Sequence, residues 1–253
     1  MRREMNLLER FYPETRFGGF TDIDGNVAFY SRVNALLNSG MNLVDFGCGS
    51  GSLGKDPVVW RRSLRVLKGK VARVIGLDVD QSAQRNPFVD EFRLLQNGHK
   101  WPLESTSVDF VLCDSVLEHL PEPEEFFQEA SRVLKANGLV AIRTPNVMSY
   151  FGLVARLVPA TIKAPCLRVA QPERDERDVY PAYYRCNTVP KIRQVLQRNG
   201  FEHTVYCNEP EPGYLSFSNV AYALGVMHQR FAPRRWRVSI FAFGRVSRTW
   251  LAP

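Results

Sequence analysis

The stretch "LVDFGCGSGSLG", Leu43 to Gly54, places an acidic residue, Asp45, two positions before the alternating glycines Gly47, Gly49 and Gly51. A glycine turn lets a ligand approach the backbone closely and adopts φ values closed to other residues. Read from Gly49, the same letters spell Gly-x-Gly-x-x-Gly, ending at Gly54, the fingerprint of a nicotinamide dinucleotide site. In such a site the first glycine follows the strand directly and an acidic residue comes about 20 residues later. Here Gly47 and Cys48 intervene, and Asp78 lies 29 residues after Gly49. The reading that begins at Gly47 fits the strand end better.

A loop of this kind belongs between a strand and a helix. The runs 42–47, 72–80, 92–97, 107–114 and 138–145 are apolar and β-branched with little polar alternation. That pattern suits strands buried on both faces of a parallel sheet. Residues 26–40, 57–69 and 122–138 carry helical spacing, with Pro57 opening one helix and Gly69 and Gly40 closing two. The segment 122–138 is acidic at its start and has Arg132 and Lys135 near its end, the order a helix dipole favours. Residues 187–200 return to a helix with Asn187 or Thr188 as N-cap, and Asp80 reads as another N-cap. Segments 201–208 and 237–246 read as final strands with a helical stretch between. The alternation predicts a doubly wound α/β fold. One domain is expected over 1–253, with a covering helix within 1–40 and a helical cap or insertion over 146–186, after strand five. The stretch "NVMSYFGLVARLVPATIKAPCLRVAQPERDERDVYPAYY" inside that insertion holds four prolines and several aromatics, too apolar for a linker.

Downstream, "VIGLDVD" and "WPLESTSVDFVLCDSVLEHLPEPEEFFQEASRVLKANGLVAIRTPN" have no place in a dehydrogenase. Together with Val44–Gly51 they resemble the class I S-adenosylmethionine-dependent methyltransferases, in the branch acting on small molecules and glycans. The resemblance runs from about Asn42 to Asn146. It implies a seven-stranded, mostly parallel, Rossmann-like sheet with S-adenosylmethionine as cofactor. Gly47, Gly49 and Gly51, with Cys48 among them, would form the loop beside the methionine part. Asp45 would sit at its base, holding the loop or reaching the amino group through water. Asp78, followed by Val79, would accept both ribose hydroxyls, because a carboxylate offers two oxygens to two neighbouring donors. Asn97 and Gly98 stand where the family often has Asp–Ala against adenine, and Asn97 departs from that pattern. Asp114 and Ser115 would face the methionine moiety and the reacting methyl. His119 follows the fourth strand, where a histidine could deprotonate a hydroxyl; a structural histidine packing the turn before Pro121 is the preferred reading. Tyr180, Tyr183, Tyr184 and Arg185 are either a substrate lid or packing of the insertion onto the sheet. Cys48 reads as a small loop residue, not a nucleophile.

The expected activity is O-methylation of a small-molecule, sugar or lipid-linked glycan hydroxyl. An RNA or protein methyltransferase and a non-catalytic, cofactor-binding scaffold are the alternatives. The net charge of +7 prompts the first of these. No Asn-Pro-Pro-Tyr-type motif or RNA-binding module accompanies it, so no nucleic-acid partner is expected. The five cysteines include no Cys-x-x-Cys pair, which argues against a zinc knuckle or disulfide framework, and no metal is expected. With no signal-peptide pattern, and with "YFGLVARLVPATI" interrupted by Arg156 and Pro159, a cytoplasmic location is expected. From Val226 onward the chain holds Arg230, Arg234, Arg235, Arg237, Arg245 and Arg248 and no acidic residue. This tail reads as the last helix and strand with exposed arginines; a weak peripheral membrane contact and a homodimer both stay open.

Overall fold

The computed structural model describes residues 7–96, 100–150, 152 and 180–247. Its seven strands are β1 (Asn42–Phe46), β2 (Arg73–Asp78), β3 (Glu91–Leu94), β4 (Val108–Asp114), β5 (Leu134–Pro145), β6 (Phe201–Asn208) and β7 (Ser239–Val246). They form one sheet in the order β3-β2-β1-β4-β5-β7-β6. β1 to β5 pair in parallel, and β7 lies antiparallel between β5 and β6. Successive strands step outward from β1 in one direction and then, from β4, in the other. A crevice therefore opens at the carboxyl ends of β1 and β4, the switch point where open α/β sheets take ligands.

The pleat decides which residues meet there. Along β1, Leu43 joins the cluster under α2 (Gly25–Leu36) and α3 (Val59–Arg65), while Val44 and Phe46 join the cluster under α4 (Pro123–Val133) and α5 (Val189–Arg198). β4 alternates likewise, with Phe110 and Leu112 on the α2 side and Val111 and Cys113 on the other. So does β5, with Ala141 against Val140 and Ile142. Successive side chains point to opposite faces. Asp45, Asp114 and Arg143 therefore share the α2 face, and Asp114 pairs with Arg143 across the strands. α1 (Leu7–Phe11) and α6 (Asn219–Phe231) meet in a third, smaller cluster around Tyr12 and Tyr222.

Three helix boundaries differ from the sequence expectation, among them α3, which starts at Val59 and stops at Arg65 with Val66 extended, short of Gly69. The helix expected over 122–138 stops at Val133, and β5 begins at once with Leu134, which pairs with Val108. The register then shifts between Val108 and Phe110, with Asn137 at φ 63°. A bulge re-aims the strand, so "LKANG" enters the sheet instead of finishing the helix. α2 ends at Leu36, short of Gly40, because Leu37 turns extended and packs into the α2-side cluster. Gly40 instead donates its N–H to the Asn38 side chain at 3.0 Å, closing a turn. Asp80 and Thr188 cap as expected, accepting from the N–H groups of Ser82 and Lys191. Of the insertion expected over 146–186, residues 151 and 153–179 lie outside the described residues. Among the described residues, no helix is long and apolar enough to cross a membrane.

Candidate functional site

The loop after β1 is built on backbone geometry that only glycine adopts without strain. Gly47, Gly49 and Gly51 have φ of 72°, 56° and 90°. A Cβ on Gly47 would stand 2.4 Å from the Val116 Cγ2, whereas one on Gly49 would meet nothing within 4 Å among the described residues. The loop is thus locked against the sheet at Gly47 and open to a ligand at Gly49. The Gly47 N–H donates to the Leu77 carbonyl at 2.7 Å, tying the loop to β2. The Gly49 N–H donates to Asp78 Oδ2 at 2.8 Å, and the Asp80 N–H donates to Asp78 Oδ1 at 2.9 Å. Asp78 thereby fixes the loop while keeping lone pairs for further donors. Asn86, buried, braces the loop from below: its amide donates to the Cys48 and Gly49 carbonyls at 2.9 and 3.1 Å. Nothing in the sequence pattern marks Asn86, since its role depends on a turn returning beneath the loop.

Beside the loop the α2 face carries a layered set of charges. Asp114 accepts two hydrogen bonds from Arg143, from Nε and Nη2, both at 2.6 Å, and a third from the Tyr30 hydroxyl at 2.8 Å. Burial works against both ions, but Arg143 holds the Asp114 carboxyl below the usual carboxylate range, and Asp114 holds Arg143 charged. Arg143 also donates to Asn26 at 2.9 Å and lies 5.3 Å from the Phe29 ring centroid. Among the described residues Asp45 has no such partner. Burial, then repulsion from Asp114 and Asp78, pushes its carboxyl up to about 7, with Arg65 pulling the other way. An incompletely balanced acidic floor of this kind favours a cationic ligand.

On the other side of Arg143 lies a cavity of about 670 Å³. Asn26, Ser115, Arg143, Glu211 and Tyr214 line it, with Asp24 and Arg61 at its wall. Arg61 is held by Asp24 and Asp56 at 2.8 and 2.7 Å. Burial and then the Asp24 charge raise the Glu211 carboxyl, and Thr21 donates to it at 3.1 Å. Glu211, Asn26 and Tyr214 come from loops and helix ends without sequence spacing to connect them. Arg143 did leave a signal: it is a charge at the end of an apolar strand.

The remaining expected residues sort as follows. Ser115, at φ 59°, lines the cavity and donates to Asp114 at 3.1 Å. Val79 is exposed beside Asp78. Asn97 and Gly98 lie outside the described residues. The His119 ring nitrogen Nδ1 sits 2.9 Å from the Pro181 carbonyl, and the N–H groups of Tyr183 and Tyr184 donate to the Glu118 carbonyl at 2.8 and 3.1 Å. Glu118 is buried and accepts from Thr144 at 2.9 Å. His119 is thus tied to segment 180–184. Tyr180 stands 6.2 Å from the His119 ring and reaches the Asp80 carboxylate, whose pKa is lowered first by Ser82 and further by Tyr180. Asp80 follows β2 and His119 follows β4, so segment 180–184 straps across the end of β1. Tyr180, Tyr183, Tyr184 and Arg185 are not among the residues lining the cavity. Cys48 is a free thiol whose pKa burial raises, and its sulfur fills the space that a Cβ on Gly76 would need, at 2.7 Å. Among the described residues no cluster of three or more metal-ligating side chains occurs.

This geometry agrees with known proteins. The methyltransferase-domain family profile matches residues 20–205. A probable S-adenosylmethionine-dependent methyltransferase of Mycolicibacterium smegmatis is 32% identical over 119 residues, covering 44% of this chain and 41% of that protein. A ubiquinone biosynthesis O-methyltransferase of Nitrosomonas europaea is 27% identical over 115 residues, covering 41% and 43%. The chain therefore spans less than half the length of these curated relatives. A solved S-adenosylmethionine-dependent methyltransferase of Thermotoga maritima shares the fold with a TM-score of 0.53 at 15% identity, covering 94% of each chain. The chain belongs to the class I S-adenosylmethionine-dependent methyltransferase family.

Proposed function

We propose that this protein transfers the methyl group of S-adenosylmethionine to a hydroxyl oxygen of a small polyhydroxylated acceptor, such as a sugar. The observation that carries the reading is the 670 Å³ cavity, which adjoins the carboxyl ends of β4 and β5 at Ser115 and Arg143 and is lined by both donor and acceptor side chains. Arg61 and Arg143 carry donors, while Asn26 Oδ1, Asp24 and Glu211 carry acceptors. A ring bearing several hydroxyls can use the hydrogen-bonding capacity these side chains keep beyond their mutual contacts, which a purely apolar acceptor cannot.

The residues present fit the cofactor. The open face of Gly49 admits a ligand against the backbone, Asp78 would take the ribose, and the unpaired Asp45 would face the cationic methionine end. Bound there, S-adenosylmethionine supplies a methyl group already activated on a sulfonium. The protein has then to align the acceptor oxygen in line with the carbon–sulfur bond and to exclude water. The acceptor oxygen bonds the methyl carbon as the bond to sulfur breaks, and its proton must leave. Glu211, with its raised carboxyl on the cavity wall, is the base this reading selects. The Asp114–Arg143 pair would fix the edge along which the two sites meet.

The test is transfer of labelled methyl to a panel of free sugars, sugar nucleotides and phenols, with wild type, Asp78→Ala and Glu211→Gln. Expected is labelling of a hydroxylated acceptor. Asp78→Ala should raise the cofactor Kd, and Glu211→Gln should lower kcat while cofactor binding persists. Labelling of RNA or protein with none of the panel, or full activity in Glu211→Gln, would overturn the reading.

A further inference from the structure

Helix α6 is apolar on the side that faces away from the protein. Its inner face, Tyr222, Gly225 and Val226, is buried, with the Tyr222 ring 5.4 Å from that of Phe11. Val220, Leu224, Met227 and Phe231 are 71%, 55%, 54% and 80% exposed. At 3.6 residues per turn these four fall within about 60° of arc, opposite the buried face. Phe217 just before the helix and Trp236 just after it are exposed as well. A surface helix ordinarily turns charge outward, and a contiguous apolar stripe marks a partner.

The charge around the stripe identifies the partner. Arg230, Arg234 and Arg235 are exposed at the end of the helix and in the turn after it. Among the described residues no ion pair engages them. No Asp or Glu follows Glu211 in the sequence. Arg235 lies 5.5 Å from the Trp236 ring centroid, a cation beside an aromatic.

We propose that the outer face of α6, with Phe217, Trp236 and the Arg230, Arg234 and Arg235 cluster, docks this protein onto an anionic lipid surface. The stripe would enter the acyl boundary, Trp236 would sit at the headgroup level, and the arginines would meet lipid phosphates. A second copy fits less well. A two-fold interface sets a patch against itself, and this patch offers arginines to arginines with no carboxylate between. Nucleic acid would engage the arginines but leave the aliphatic stripe in water, since its interfaces are polar. Docking also has a position. Gly213 and Tyr214 line the acceptor cavity, and Phe217 stands in the same connection, so the cavity would be held beside the lipid. The docking does not depend on which acceptor is used.

Co-sedimentation of the full chain with vesicles tests this, comparing phosphatidylcholine alone with phosphatidylcholine mixed with phosphatidylglycerol. Wild type should partition onto the anionic vesicles, and salt should release it. Arg234→Gln/Arg235→Gln should weaken partitioning roughly 30-fold, at about fivefold per arginine near an anionic surface. Leu224→Asp, on an exposed position, should abolish it, with cofactor affinity unchanged in both variants. The proposal is overturned if wild type ignores the anionic vesicles or if Leu224→Asp binds them equally. It is also overturned if light scattering shows a wild-type dimer that Leu224→Asp dissociates, or if an RNA oligomer binds this face and Leu224→Asp leaves that binding intact.

Discussion

Asp45 should make cofactor affinity depend on pH in a way that can be worked out in advance. Its carboxyl is raised to about 7 by burial and by the neighbouring Asp114 and Asp78. The methionine end of S-adenosylmethionine carries an ammonium and a sulfonium, and such a ligand selects the ionised carboxylate. Below pH 7 the free protein holds a proton there that must leave on binding. The apparent Kd then scales as one plus the ratio of protonated to ionised Asp45. Affinity should be about twofold below its plateau at pH 7 and about 11-fold below at pH 6, levelling off above pH 8. The assay is calorimetric titration across this range in two buffers of different ionisation enthalpy. At pH 6 the difference should report the release of nearly one proton. Asp45→Asn keeps the shape and removes the titration, so its profile should be flat. Its plateau affinity should fall by about 1.5–3 kcal/mol, the range for a hydrogen bond to a charged group. A flat wild-type profile, or a slope that survives in Asp45→Asn, would refute the assignment of the acidic floor.

Three further outcomes follow from the same geometry. Gly47→Ala forces a Cβ onto Val116 at a φ of 72° and should destabilise the fold by about 2–3 kcal/mol, read as a fall in Tm. Arg143→Met leaves Asp114 charged without its main partner and should cost about 3–5 kcal/mol. Adding Asp114→Asn should recover part of that, measured as non-additivity in urea unfolding. Glu209, buried and accepting from the Val238 N–H at 2.6 Å, is raised to about 7. The native state then binds the proton more tightly than the unfolded chain between about pH 4.5 and 7, so this group's contribution to stability falls as pH rises through that window. Glu209→Gln should make the dependence of Tm on pH shallower, and an unchanged dependence would show that Glu209 does not titrate there.

Strands and the glycine loop were legible because their signals are local. Apolar runs between turn residues mark strands wherever they pair, and alternating glycines after a strand report a positive-φ turn. The ends of α2 and α4 were not legible. Leu37 and Leu134 look like helix continuation until their burial partners are known, and those partners come from other parts of the chain. The same limit hid much of the site. Asp45, Asp78 and Asp114 sit at strand ends and could be read directly. Asn86, Tyr30 and Glu211 act through contacts made 30 or more residues away, such as Tyr30 to Asp114. For His119 the sequence offered a base or a structural histidine, and its contact with the Pro181 carbonyl, 62 residues on, could not be read there.

The strap formed by 180–184 also sets a tempo. It is pinned by the Tyr183 and Tyr184 N–H groups on Glu118, by the His119–Pro181 contact and by Tyr180 at Asp80. Four such hydrogen bonds at about 1 kcal/mol each would keep the opened arrangement at roughly one part in a thousand. A molecule that needs the strap aside to reach the glycine loop would therefore arrive about a thousandfold more slowly than diffusion permits, and would leave on the strap's schedule. Stopped-flow association should quicken in Tyr180→Phe if that is so, and an unchanged rate would mean the doorway lies elsewhere. In such a protein the chemistry would be the fast part of each cycle, and the waiting time would belong to five residues that touch no reacting atom.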